Sequence, residues 1–281
     1  MNFEKPILLI DTSYLTFYRF YATTFWFKHS KQKKIVPPNY NWIDDAVFME
    51  KFTKLYLNSV DKILKKQKLD IPYTNFIFAQ DCPRNQIWRM SLFQEYKTNR
   101  DVVYQSENWK GGAIFKYVKD ILLPKLKELH NFNIINHPQM EADDIIACIT
   151  RYIQKNYTQQ KIYIITSDHD YLQLIDENTT LINLKNKILN EKSCGNPKHD
   201  LLLKIICGDK ADNIKSCFTK CGPKTAMKLI LDPTLLEEKF QKEEGSKTIY
   251  NMNKQLIDFE FIPDEFNKKI IEKFCLLIQK E

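Results

Sequence analysis

The 281-residue sequence has no CxxC pair, no internal repeat, no low-complexity linker and no apolar run near the ~18 residues of a membrane span. Each absence excludes something. Without a CxxC pair a zinc ribbon is not expected. The seven cysteines (Cys82, Cys148, Cys194, Cys207, Cys217, Cys221, Cys275) are odd in number and irregularly spaced, so they read as free thiols in a reducing compartment; a metal held by Cys194, Cys217 and Cys221 is a minor alternative. The N-terminal Met1–Asp11 stretch has only a five-residue apolar core with charges close by, unlike a signal peptide. A soluble, intracellular protein with no membrane partner is expected. Without linkers, the parts of the chain should pack closely.

What is present fits a folded globule: 43% hydrophobic and 13% aromatic residues. Lysine and arginine exceed aspartate and glutamate by 42 to 35, a net charge of +7. That surplus alone says little about a polyanionic partner, because many enzymes carry as much.

Three short continuous apolar runs, 7–10, 76–79 and 162–165, read as strands buried on both faces, and 132–135 and 180–184 as weaker ones. Between them, Val47 to Leu64 recurs at helical spacing ahead of a lysine-rich end. Residues 114–130 read as a helix that Pro124 kinks or splits, and 141–157 as another. Beyond about residue 190 the strand signals stop and 201–207, 225–231, 233–241 and 266–279 look helical. The expectation is an α/β domain with a parallel sheet over 1–190 and a helical lobe over 191–281.

The acids carry the chemistry. The first three strand runs lead into Asp11, Asp81 and Asp168, with Asp170 close behind, and ligands of open parallel sheets bind beyond the carboxyl ends of the strands. Each acid has a plain alternative. A post-strand aspartate commonly caps the next helix; Glu141, Asp143 and Asp144 could complement a helix dipole; Asp209 and Asp212 could be turn residues. Together, nine carboxylates at one edge would repel one another without counterions. Oxygen-only ligands favour Mg²⁺ or Mn²⁺, and two such ions ~4 Å apart suit phosphodiester hydrolysis. Setting those acids aside leaves a strongly basic remainder, suited to nucleic acid.

Several segments in order resemble the 5′→3′ exonuclease and flap endonuclease family, in the style of its short phage and viral ribonuclease H-type members. They are Ile10-Asp11-Thr12-Ser13, then Asp81 with Trp88-Arg89 and Tyr96-Lys97-Thr98-Asn99-Arg100. Glu141-Ala142-Asp143-Asp144, Thr166-Ser167-Asp168-His169-Asp170 and Gly208 to Ile214 leading to Gly222-Pro223-Lys224-Thr225 follow. The resemblance implies a PIN-like sheet flanked by helices and a C-terminal lobe with a helix-hairpin-helix. It also implies two Mg²⁺ or Mn²⁺ ions, the first among Asp11, Asp81, Glu141 and Asp143, the second among Asp168, Asp170, Asp209 and Asp212, with Asp144 between them. Lys97 and Arg100, three apart and so on one face if helical, would stand over the scissile phosphate as catalytic cations.

The same resemblance makes 84–110 a basic, aromatic arch (Trp88, Phe93, Tyr96, Tyr104, Trp109) whose rings are divided between base stacking and core. Phe17, Arg19, Arg89 and Tyr96 become candidate DNA contacts, with Tyr14 and Tyr18 as neighbours of Phe17. Lys220, Gly222, Lys224 and Thr225 would bind a duplex phosphate at the hairpin. Lys220 replaces the family's first hairpin glycine, which puts a K⁺ ion at that turn in doubt. The expected substrates are DNA with a 5′ flap, nick or recessed end and RNA–DNA hybrids, cut by a monomer. No clamp-binding box is readable, so a sliding-clamp partner stays open. The alternatives are a PIN-type ribonuclease acting on RNA and a non-catalytic nucleic-acid-binding protein.

Overall fold

In the computed structural model, which describes residues 1–30, 40–100 and 111–279, the apolar runs become one five-stranded sheet. Its strands are β1 (Ile7–Asp11), β2 (Phe76–Gln80), β3 (Asn133–Asn136), β4 (Ile162–Ile165) and β5 (Thr179–Ile182). All pairs are parallel, in the order β3-β2-β1-β4-β5, and Asp11 is level with Ala79. The two-residue alternation sorts each run between two cores. Leu8, Ile10, Phe76 and Phe78 face one layer, and Ile7, Leu9, Ile77 and Ala79 the other. Burial of both faces explains why these strands are continuously apolar.

The first layer is made by α1 (Thr12–His29), α2 (Ala46–Gln67) and the segment from Gly112 to His130. No periodic pattern announced α1, because its buried stripe includes Thr12, Thr16 and Thr23 beside Leu15, Phe20 and Phe27. Threonines inside and aromatics outside blur the apolar face that a periodicity reading needs. The proline-containing segment is helical throughout, with its hydrogen-bonding pattern changing ahead of the proline. It follows the short α3 (Arg89–Leu92) and runs as α4 (Gly112–Tyr117), a π turn over Val118–Leu122, and α5 (Leu123–His130). Pro124 has no N–H for the carbonyl four residues back, and the widened turn, with Leu123 N–H bonded to Val118 O, absorbs the lost bond.

The second layer is α6 (Ala142–Asn156), whose Ile145, Ile146, Ile149 and Ile153 pack on the sheet. The lobe is built from α7 (Pro197–Cys207), α8 (Pro223–Leu231), α9 (Pro233–Lys242) and α10 (Ser246–Ile257), largely around Ile206, Phe218, Ala226 and Leu229. The sequence pattern kept the chain in this lobe to residue 281. Instead α11 (Asp264–Ile278) returns to the α/β unit, where Phe266, Ile270 and Phe274 join the α6 core with Met1. An amphipathic helix buries its stripe wherever a matching face is free, and sequence order does not say which. All seven cysteines are free; Cys194 is exposed, apart from the buried Cys217 and Cys221. Among the described residues no helix is long and apolar enough to cross a membrane.

Candidate metal centre and nucleic-acid interface

The carboxyl ends of β1, β2 and β4 open into a cavity of about 450 Å³. Asp11, Asp81, Glu141, Asp143 and Asp168 line it, together with Lys97, Arg100 and Phe17. Three aspartates also perform the plain role of capping or bracing backbone. Asp11 caps α1, accepting from Tyr14 N at 2.9 Å. Asp168 accepts from Asp170 N at 2.9 Å. Asp81 accepts from Ala142 N at 2.7 Å and from the Ser13 hydroxyl, tying β2 to the first turn of α6. Each bond uses one lone pair and orients the rest of the carboxylate, so capping and ligation are compatible.

The charges show what the cavity lacks. Burial, then the neighbouring Asp81, pushes the Asp11 carboxyl up to about 7. Asp143 is raised well above its ordinary value by burial and by Glu141 and Asp144. Burial would raise Glu141 too, but Lys97 and Arg89 outweigh it and hold that carboxyl low. A buried set of acids forced toward protonation is a set with too little positive charge, which a divalent ion supplies.

A second group lies beside the first. Carboxylate oxygens of Asp170, Asp209 and Asp212 come within 4.8 Å of one another. Asp170 comes from the turn after β4; Asp209 and Asp212 come from the loop after α7, which packs on that turn. Burial and the adjoining Asp168 push Asp170 up to about 7. A cation already stands in this group: Lys204 Nζ is bonded to Asp170 and lies 2.8 Å from Asp209. One ammonium bridging two carboxylates shows that the donors converge on a point a cation can occupy. Both groups therefore fit hard divalent ions on donor chemistry, and ligand atoms within 4.8 Å of one another are found for Glu141, Asp143 and Asp144 and for Asp170, Asp209 and Asp212.

Lys97 and Arg100 both reach the cavity, but not as neighbours on a helix. Lys97 sits in a turn with φ 58°, its Nζ 2.5 Å from Glu141 and 3.6 Å from Asp212, and Arg100 pairs with Asp212. The left-handed backbone at Lys97 costs about 1 kcal/mol or more and turns its side chain inward.

Asp144, Arg89 and Tyr96 lie elsewhere than the sequence pattern put them. Asp144 is fully buried, accepting from Arg89 Nη2 at 2.6 Å, Arg89 Nη1 at 2.9 Å and Trp88 Nε1 at 2.9 Å. Its oxygens lie within 4.8 Å of those of Glu141 and Asp143 while also taking these donors, and it does not itself line the cavity. Arg89, on α3 (Arg89–Leu92), is 1% exposed and also bonds Leu256 O, so it cannot reach DNA. Tyr96 is buried and donates to Glu141 at 3.1 Å; its ring cannot stack on a base. A buried guanidinium must find a carboxylate, and Asp144 is the partner that burial demanded. Trp88 is likewise core. Tyr104 and Trp109, in the 101–110 part of the expected arch, lie outside the described residues.

Phe17 lines the cavity edge-on to Phe115, and Arg19, two residues further along α1, lines a pocket on another flank. At the hairpin, Lys220, Gly222, Lys224 and Thr225 are exposed around the start of α8. Lys220 has φ 51°, so the position where the family has glycine is one where the backbone favours it. The sequence reading missed Ser13 as a brace for Asp81, the buried Tyr171, whose hydroxyl donates to Asp11 at 3.4 Å, and Lys204. Of these, only Lys204 carried a local signal, its place on the helix that leads into the loop of Asp209 and Asp212.

Residues 6–197 match the family model described as the N-terminal, resolvase-like domain of 5′-3′ exonucleases. The chain belongs to the 5′-3′ exonuclease family. Over 275 residues it is 31% identical to a 5′-3′ exonuclease of Mycoplasmopsis pulmonis, spanning 95% of this chain and 80% of that one. It is 28% identical over 234 residues to ribonuclease H of Enterobacteria phage T4, 78% and 75% of the two chains. Among solved structures, a bacteriophage T5 flap endonuclease complex with DNA and metal ions superposes with a TM-score of 0.71 at 18% identity, over 98% and 100% of the chains, a likeness of fold. The PIN-like reading of the sheet and the assignment to the 5′→3′ exonucleases both hold.

Proposed function

We propose that the protein is a two-metal, Mg²⁺-dependent 5′ nuclease that hydrolyses phosphodiesters at 5′ flaps, nicks and 5′ ends of duplex DNA. The single observation carrying this reading is the pair of adjacent carboxylate groups at one sheet edge, with Lys97 and Arg100 facing them from the same cavity. Asp11, Asp81, Glu141 and Asp143 would hold one ion, and Asp168, Asp170, Asp209 and Asp212 the other. Bound there, the ions would activate the attacking water and neutralise the leaving oxygen.

The chain's own residues do the rest. Ser13 and Ala142 N–H hold Asp81 in place, and Tyr171 steadies Asp11. Lys97 and Arg100 are tethered to Glu141 and Asp212, so they are poised beside the position of a bound phosphate. The exposed Lys220, Gly222, Lys224 and Thr225 suit a duplex phosphate at a helix start. K⁺ at that turn is the weaker part of the reading, since Lys220 brings its own ammonium. The phage T4 relative's name supports RNA–DNA hybrids as a further substrate. The protein acts as a monomer in this reading, and replication or repair is its setting.

The test compares the protein with Asp168→Asn on 5′-labelled flap, nicked, RNA–DNA hybrid and single-stranded RNA substrates. Loss of about 100-fold or more in flap cleavage is expected in the variant, with EDTA abolishing the rest. Equal rates in the two proteins, or cleavage in EDTA, would sink the two-metal assignment. A preference for single-stranded RNA would replace the flap reading with a ribonuclease.

A further inference from the structure

On the flank of α1 away from Phe17, between α1, α2 and the turn after β5, lies a pocket of about 230 Å³. Its polar lining is Tyr18, Arg19, Ser59, Lys62, Lys66 and Asn186, and among the described residues no carboxylate lines it. Arg19 is half-buried with its guanidinium 5.0 Å from the Tyr18 ring centre, and its Nε is buried without a partner. Burial holds that guanidinium below its ordinary pKa, and no acid counters it. Lys62 and Lys66, one turn apart on α2, share a face and have no ion-pair partner among the described residues. Asn186 closes the pocket from a turn with φ 62°, its Oδ1 also buried and unbonded. Lys185 and Lys187, both exposed, flank it.

Buried guanidinium groups normally end on a carboxylate or a carbonyl, and like charges brought together without an anion destabilise the fold. Arg19, Lys62 and Lys66 are positive, the Tyr18 and Ser59 hydroxyls can donate as well as accept, and the Asn186 amide can present its NH₂. The chemistry that completes the pocket is therefore an anion with several acceptor oxygens.

We propose that this pocket is a phosphate-binding subsite that holds a backbone phosphodiester of the nucleic-acid substrate, an inference that rests on the nuclease reading. Arg19 lies eight residues along α1 from Asp11, about 12 Å down the helix axis. That is the span of about three or four nucleotides of a strand that enters the metal centre. The subsite grips the backbone by charge, independently of base sequence, and fixes how far the strand runs past the cut.

The experiment measures binding of a fluorescent flap junction by anisotropy in EDTA across a KCl series, so that cleavage plays no part. Arg19→Met and the Lys62→Met/Lys66→Met double variant should bind about tenfold more weakly at low salt. Their plots of log K against log salt should be shallower by about 0.9 for each phosphate that is no longer neutralised. Asn186→Asp, which adds a negative charge at a left-handed turn position that Asp also tolerates, should weaken binding in the same way and leaves both helices untouched. Thermal melts establish that each variant folds.

Slopes and affinities equal to those of the parent, with flap cleavage intact, would overturn the subsite while the nuclease reading stands. Shallower slopes in a protein that cleaves nothing would uphold the subsite and overturn the nuclease. Titration with inorganic phosphate separates the sources. A ³¹P signal lost in Arg19→Met while the DNA slope stays unmoved assigns the pocket to a free anion, and overturns the backbone assignment.

Discussion

Glu141 and Asp143 sit inside the α/β unit, on and beside the first turn of α6, whereas Asp209 and Asp212 meet Asp170 across the junction with the lobe. The first group is walled in. Arg89 and Lys97, both buried, neutralise Glu141, and Arg89 is locked in turn by Asp144 and Leu256. The second group is more open and is balanced by Lys204, which stands between its acids. The buried arrangement can hold one geometry without an ion. The junction arrangement depends on how α7 docks, and an incoming ion must compete with an ammonium. One centre is therefore built to be rigid and the other to be exchangeable.

The largest effect that can break this comparison is on stability. Arg89→Met strands Asp144 as an uncompensated buried charge, and the cost should be about 3–5 kcal/mol in urea unfolding. Adding Asp144→Leu to that variant should recover much of the loss. A single variant as stable as the parent would show that the first group does not depend on its ion pair.

Lys204→Met has a smaller and more pointed consequence. Without the ammonium, Asp170 and Asp209 repel each other in the metal-free protein, and its melting temperature should fall by about 2–4 °C for each kcal/mol lost. The stabilisation on adding Mg²⁺ should be larger than in the parent, because no internal cation competes. An unchanged response in the calorimeter would remove Lys204 from the second group's account.

The smallest effect is the pH profile. Asp11 and Asp170 have folded values pushed up to about 7, above their unfolded ones. Their contribution to metal-free stability is full below about pH 4 and is lost as pH rises to about 7. Because an ion must displace those protons, Mg²⁺ affinity should climb through the same window and level off above about pH 7. Calorimetric affinities that are flat from pH 5 to 8 would show the two acids already ionised without metal.

Much of this was legible in the chain. The strands were readable because burial on both faces leaves no room for polar alternation, and Asp11, Asp81 and Asp168 because they end such strands. Helix α1 was hidden by threonines on its buried stripe, and the π turn by the fact that a proline announces a missing bond without saying how the helix absorbs it. Asp144 and Arg89 were misplaced for a different reason. Their residue types suit a metal and a phosphate equally well, and only their shared burial, each bonded to the other, decides that they are spent on one another.

The amino-acid sequence by itself determined the parallel sheet, the edge at which the acids gather, and the need for positive charge there, because these follow from hydrophobic patterning and from the repulsion of like charges. Tertiary structure alone decided which charges are available. It paired Arg89 with Asp144, lodged Lys204 between Asp170 and Asp209, and gathered Arg19, Lys62 and Lys66 around one pocket. Ion pairing is a matter of which groups desolvation forces together across tens or hundreds of residues, and no local pattern records that.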